Sequence, residues 1–365
     1  MAVKVLFVSS HARTGGSERH VETLVHGLGS EWVAGVVVLE RGPAVGSLAV
    51  PGRPLAVIPT SGGRLSMLAA AVRLRRRVVA LRPDVVHASG VKAAAVAAAA
   101  MVGSSVPLLW MKHDFSWDGR LSTIIAGRCR EVVGVSHAVL EAIDPDVATA
   151  VVYSGVDVPE PDAESGRARL RELVGADEGP VVALVGRIHS VKGHRVLLDA
   201  MPALRRAHPL LRVAFVGGGD DTQTAYRDDL DRRIAAAGLE GAVTFLGHRS
   251  DVHSLIAGAD VVVCPSVRDD RGFGREGAPL IVLETFAAGT PLVASSDGGI
   301  PELAGECAVL VPPGDAAALA GAVLDLLADR PKAEAFSRCG RRRVAEFTVA
   351  GMVDAMKARY RAAVA

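Results

Sequence analysis

Short runs of apolar, mostly β-branched residues recur down this chain, each followed by a longer stretch whose apolar residues return every third or fourth position. A brief continuous apolar run between turn-forming residues marks a strand buried on both faces, and the helical return marks a helix with one buried side. The runs predict strands at Val3–Val8, Gly35–Leu39, Asp84–Ala88, Val106–Trp110, Val132–Val135 and Val151–Tyr153. After Val156–Gly166, rich in Pro, Asp, Glu and Gly and read as a linker, they resume. The second series is Val181–Val185, Arg212–Val216, Val243–Leu246, Asp260–Cys264, Pro291–Ala294 and Ala308–Val311. Such alternation implies parallel sheets covered by helices on both faces, and two series imply two doubly wound α/β domains. Ligands of open α/β sheets bind beyond the carboxyl ends of the strands, so a site is expected in a cleft where the strand ends of the two domains face each other.

Composition narrows the function. Half of the 365 residues are hydrophobic, enough for two cores, and only 4% are aromatic. The net charge of +1, from 41 basic and 40 acidic residues, speaks against a nucleic-acid partner held by counterion release. Cys129, Cys264, Cys307 and Cys339 lie far apart with no C-x-x-C pair. They predict neither a disulfide framework nor a zinc site, and read as reduced thiols of a cytosolic protein. No signal peptide is read before the first strand, and the apolar run Ala93–Val102 is too short to span a bilayer, so a cytoplasmic location is expected.

The chemistry-bearing residues follow predicted strands. Gly186-Arg187 and Lys192-Gly193 bracket a strand-to-helix turn, where an arginine and a lysine can both address one anion: Arg187 bidentately, Lys192 as a compact charge. Further on, Pro279 suits the first turn of a helix that runs to Ala288 and stops at Gly289. Its free N–H groups, around Ala278, Pro279 and Leu280, would favour a diphosphate. Were Glu276 and Glu284 both helical, they would lie about 12 Å apart along the axis, able to meet different ends of one nucleotide sugar.

Taken together, Gly186-Arg187-x4-Lys192-Gly193, Glu276-x7-Glu284 and Gly298-Gly299-Ile300-Pro301-Glu302 resemble the C-terminal half of retaining family 4 glycosyltransferases with the GT-B fold. In the first half, His11-Ala-Arg-Thr-Gly15-Gly16-Ser17-Glu18 resembles the family's glycine loop near the diphosphate, and His113-Asp114 stands where the family keeps an active-site histidine. Val135-Ser136 and Tyr153-Ser-Gly-Val-Asp157 resemble its end-of-domain markers, although Ser154 replaces the usual asparagine and Val191 the usual proline between the basic pair.

The resemblance implies two Rossmann-like domains facing each other across a cleft. Residues 1–165 would form an acceptor-binding domain, joined by a C-terminal helix, 350–365, that crosses back, and 166–349 a nucleotide-sugar-binding domain. It implies a retaining hexosyltransferase, without required metal or cofactor, that moves a sugar from a nucleotide diphosphate, UDP on family frequency, to a hydroxylated small-molecule acceptor. Arg187 and Lys192 would stabilise the leaving phosphate, helped by the amides of Gly15 and Gly16. Glu276 would orient the sugar, Glu284 the ribose, and His113 would line the sugar pocket. Backbone around Gly218, Gly247, His248 and Val267 would read the base, and loops around Trp110–Trp117 would receive the acceptor. A membrane-associated glycolipid transferase and a sugar-nucleotide epimerase or binding protein of the same fold are the alternatives.

Three other features compete. Gly272-Phe273-Gly274-Arg275-Glu276-Gly277 is a literal G-x-G-x-x-G with Asp297 downstream, but Val267–Arg271 separate it from the strand where a dinucleotide fingerprint needs a tight turn. Asp220-Asp221 and Asp269-Asp270 read as solvated loops before they read as metal sites. Arg73, Arg75, Arg76, Arg77 and Arg82, beside Leu68, Val72, Leu74 and Val79, read first as a surface helix with a charged outer face, and second as a helix for anionic lipid.

Overall fold

A computed structural model describes residues 2–12, 15–61, 63–157, 162–219, 224–268 and 274–365. The chain divides into two compact units, Met1–Gly155 with Phe347–Ala365, and Val156–Glu346. Both boundaries differ from the expected 1–165 and 166–349, and the C-terminal segment belongs to the first unit. The linker residues 158–161 lie outside the described residues.

The first unit runs β1 (Val5–Ser9), α1 (Gly16–Trp32), β2 (Val33–Val38), β3 (Leu55–Val57), α2 (Arg64–Leu81), β4 (Val85–Ser89), α3 (Val91–Ala100), β5 (Leu108–Lys112), α4 (Arg120–Ala126), β6 (Glu131–Gly134) and β7 (Thr149–Val151). Its seven-stranded sheet has the order β3-β2-β1-β4-β5-β6-β7, parallel throughout. Side chains alternate across it, as the strand period requires. Leu6, Val8, Val86, Ala88, Leu108, Trp110 and Val132 pack with α2, α3 and α4 on one face. Phe7 and His87 point the other way, where both rings meet Tyr360 of the C-terminal helix Val349–Val364. Tyr360 is fully buried and its hydroxyl lies 2.8 Å from His87 Nδ1, which ties this helix to the sheet.

The second unit runs α5 (Ala163–Val174), β8 (Val181–Val185), α6 (His194–Ala207), β9 (Arg212–Val216), α7 (Thr224–Ala236), β10 (Val243–Gly247), α8 (Val252–Gly258), β11 (Val261–Cys264), α9 (Leu280–Ala288), β12 (Leu292–Ser295), α10 (Ile300–Ala304), β13 (Val309–Val311), α11 (Ala316–Ala328) and α12 (Arg330–Val344). The sheet order β10-β9-β8-β11-β12-β13 reverses between β8 and β11, which makes the carboxyl ends of those two strands the topological switch point. Local chemistry sets the helix ends. Asp162 accepts from the amides of Glu164 and Ser165 to start α5, and Gly289, at φ 71, lets α9 stop in the left-handed conformation.

Three expectations are corrected. The edge strand β3 is absent from the sequence reading because Leu55-Ala-Val57 is too short, and too exposed, to show a buried-strand run. Cys307 and Cys339 form a disulfide across a sequence separation of 32, so the reading of four reduced thiols fails. Spacing hides the pair, since only the fold returns α12 to the turn before β13. The outer face of α2 exposes the expected arginines, Arg73, Arg76 and Arg77, but also Leu68, Val72 and Val79, so it is mixed and not purely charged. No described helix is long and apolar enough to cross a membrane.

Candidate active site

In the second unit the predicted residues collect at the carboxyl ends of β8, β9, β10 and β11. Gly186 and Arg187 follow β8, and a short 3-10 turn, Ser190–Lys192, brings the lysine back over them. A Cβ on Gly186 would meet the Lys192 side chain at 3.6 Å. Gly193, at φ 76, closes the turn against β11: a Cβ there would fall 1.8 Å from the Pro265 carbonyl oxygen, so only glycine fits. The Val267 amide donates to the Val191 carbonyl at 2.9 Å and locks the two strand ends together. Gly218 and exposed His248 are neighbours beyond β9 and β10, joined through the Gly217 amide to the Gly247 carbonyl at 2.9 Å.

The centre of this cluster is an ion pair. Lys192 Nζ lies 2.6 Å from Glu276 Oε1, and Ser266 Oγ donates to the same oxygen at 2.8 Å. Burial pushes the Lys192 ammonium down, but the Glu276 carboxylate beside it outweighs that and raises its pKa above the ordinary lysine value. Lys192 is therefore charged at any physiological pH. Arg187, exposed nearby, adds a second positive charge.

Glu276 sits in the loop before α9, not on the helix, so the helical spacing to Glu284 does not hold. Pro279 is the N-cap of α9, Leu280 its first residue, and Ala278 lies in the bend before it. Glu284 is buried about 6 Å further along the helix, at 1.5 Å per residue. The glycine pair of the Gly298–Glu302 motif holds Glu276 in place. Gly298, at φ 59, would put a Cβ 2.1 Å from the Glu276 carbonyl oxygen, and the Gly299 amide donates to that oxygen at 2.8 Å.

The dinucleotide fingerprint loses its acid. Asp297 is gripped by the Arg268 guanidinium at 3.2 and 2.8 Å, with Arg275 at 3.4 Å. Burial raises the Asp297 carboxyl, but the Arg268 hydrogen bonds prevail and hold it below its usual value. Gly272, Phe273, Asp220-Asp221 and Asp269-Asp270 lie outside the described residues. Among the described residues no group of three or more His, Cys, Asp or Glu side chains is placed to hold a metal ion.

In the first unit His113 follows β5 and its Nε2 lies 2.8 Å from Ser89 Oγ at the end of β4. Its ring packs edge-on against that of His20, centroids 5.0 Å apart, and His20 Nδ1 meets Ser154 Oγ at 2.9 Å. The departure at Ser154 thus has a structural use. Burial, and then the neighbouring His87, depress the His113 pKa to about 3, and burial with His113 holds His20 well below its ordinary value. His113 is a neutral imidazole at working pH, suited to hydrogen bonding and not to serving as a cation. Gly15 caps α1 and Gly16 begins it, but the Glu18 carboxylate lies against Gly15, 2.7 Å from where a Cβ would stand. A phosphate on those amides would share that space. Arg13 and Thr14 of the loop lie outside the described residues.

Sequence reasoning missed Ser266, Ser89, His20 and Lys112. The first two stand at or just beyond strand ends, a position that signals function but not which partner is met. Lys112 is buried at the end of β5, where it pairs with Asp118 at 2.7 Å and donates to the Asp114 carbonyl, pinning the loop that carries His113.

Comparison with known proteins bears on this geometry. Residues 14–160 match the family described as Glycosyltransferase Family 4, and 179–329 match Glycosyl transferases group 1. The GDP-mannose-dependent alpha-(1-6)-phosphatidylinositol monomannoside mannosyltransferase of Mycolicibacterium smegmatis is 36% identical over 208 residues, which are 55% of this chain. The chain spans only 52% of that relative's length. The glycogen synthase of Mycobacterium tuberculosis is 30% identical over 306 residues, 76% of this chain and 69% of the relative. The crystal structure of Anabaena HepE in complex with UDP superposes with a TM-score of 0.84 at 23% identity, covering 98% of this chain and 100% of HepE. The whole-length match to HepE carries the fold, the two family matches carry both halves, and this chain belongs to the family 4 glycosyltransferases, built on the GT-B fold.

Proposed function

We propose that this chain is a retaining, metal-independent glycosyltransferase that moves a sugar from a nucleoside-diphosphate donor, with uridine as base, to a hydroxylated small-molecule acceptor. The Lys192–Glu276 pair, 2.6 Å apart at the switch point and flanked by Arg187, carries the reading. When the bond from the anomeric carbon to the diphosphate breaks, negative charge grows on the departing oxygen. Lys192 and Arg187 are fixed cations where that charge develops, which lowers the barrier more than it tightens the ground state. Glu276, held by Ser266 and Gly299, accepts hydrogen bonds from sugar hydroxyls, and the α9 N-terminus with Glu284 takes diphosphate and ribose. His113, neutral, orients a hydroxyl of sugar or acceptor.

Relatives support the class with different donors in their descriptions: UDP for HepE and GDP-mannose for the mycobacterial mannosyltransferase. Calorimetric titration with UDP, GDP, ADP and NAD, with and without magnesium, tests the proposal. Magnesium-independent binding of UDP that is lost in Lys192→Ala is the expected result. Binding of GDP alone would move the base assignment, and binding of NAD alone would overturn the reading.

A further inference from the structure

Helix α2 has two apolar stripes, and only one is used. Ala70, Ala71, Leu74 and Val78 are buried against the sheet and α3. On the opposite side Leu65, Leu68, Val72 and Val79 are 84%, 60%, 49% and 65% exposed. At 3.6 residues per turn these four fall within an arc of roughly 60°. Arg73 and Arg76 border the stripe on one side and Arg64 on the other. No Asp or Glu occurs anywhere in α2. The surroundings continue the pattern. Of the eleven large hydrophobic side chains exposed among the described residues, nine lie between Val57 and Ile124, and only Leu210 and Val364 lie elsewhere. α4, which packs into the same layer beneath the sheet, carries exposed Leu121 and Ile124 and likewise no acid.

An aliphatic stripe edged by guanidinium groups matches the boundary of an anionic bilayer, with the aliphatic chains entering the acyl region and the arginines meeting headgroup phosphates. A second copy of the chain fits less well. A two-fold interface built on α2 would set arginine against arginine, with no carboxylate on that helix to offset the repulsion. We infer that the layer formed by α2 and α4 is a docking surface for a membrane rich in anionic lipid, on which the chain lies without crossing. Single exposed hydrophobics are normal on a surface helix, whereas a contiguous apolar patch marks an interaction surface.

Sedimentation of the full chain with vesicles of phosphatidylcholine alone, or mixed with phosphatidylglycerol, tests this without reference to transfer activity. Two variants are compared, Leu65→Gln/Leu68→Gln/Val79→Gln and Arg73→Gln/Arg76→Gln/Arg77→Gln, all at exposed positions, with melting curves to establish folding. The expected result is partition onto the phosphatidylglycerol vesicles that weakens with salt, falls to background in the first variant, and drops roughly a hundredfold in the second. Absence of partition by the parent chain, or equal partition by parent and folded variants, would overturn the inference. So would a dimer of the parent chain that the first variant converts to monomer, since the stripe would then belong to a second copy.

Discussion

Lys192 and Glu276 neutralise each other in a partly buried setting, so neither is a neutral substitution. Lys192→Ala removes the cation proposed to face the leaving group and takes the ion-pair partner from the Glu276 carboxylate. Its turnover with a nucleotide-sugar donor should fall on the order of 10²–10³-fold with the fold retained, read by product formation against a circular dichroism control. Gly298→Ala acts on the same pair from behind. A side chain there must adopt φ 59 and displace the Glu276 carbonyl, so we expect destabilisation of about 1–3 kcal/mol and a fall in transfer parallel to that of Glu276→Gln. Gly321→Ala is the contrasting case. It lies in α11 with nothing within 4 Å of the new Cβ, and should stabilise by about 0.4–1 kcal/mol in denaturant titration without touching activity.

Helix α12 is held in several ways. The Cys307–Cys339 disulfide joins it to the turn before β13, Gly340 seats it on Phe286 of α9, and Arg341 lies against Gly289 at the end of that helix. α9 carries Glu284 and the proposed diphosphate amides, so α12 is the rear support of that segment. Closing a loop of 32 residues removes unfolded-state entropy equivalent to about 2–4 kcal/mol. Dithiothreitol, or Cys339→Ser, should lower the melting temperature of the second unit and leave the first unchanged, which calorimetry of the full chain can separate. Equal shifts in both transitions would mean that the bridge does not act locally.

Across the molecule, acid should act on the two units unequally. Burial, and then His20, bring His87 to about 3, and burial likewise brings His113 and, in the second unit, His194 to about 3. His20 is also depressed well below its ordinary value. These groups stay neutral in the folded state while the unfolded chain takes up protons below about pH 6.5. Their stabilising contribution is complete above that pH and declines as pH falls toward about 3, by about 1.4 kcal/mol per pH unit for each histidine. With His20, His87 and His113 in the first unit against His194 in the second, the first transition should move to lower temperature faster on acidification. A calorimetric series from neutral pH to pH 4 reads this directly. Parallel movement of both transitions would show that the histidines do not set the acid response.

The sequence alone determined every described strand but β3, the α/β class, the two-domain plan and the extent of α9 from Pro279 to Gly289. Those features are legible because they rest on local signals: apolar runs, helical periodicity, proline and glycine at helix ends. Tertiary structure decided the rest. Lys192 and Glu276 meet across 84 residues because β8 and β11 are neighbours in the sheet, an order that no stretch of sequence encodes by itself. The same holds for Cys307 and Cys339, and for Ser154 beneath His20. Gly298 shows only as a glycine until the Glu276 carbonyl is seen resting on it. Helix α2 reads as amphipathic either way, since periodicity reports that apolar residues share a face, and only the packing of α3 and the sheet decides which face meets water.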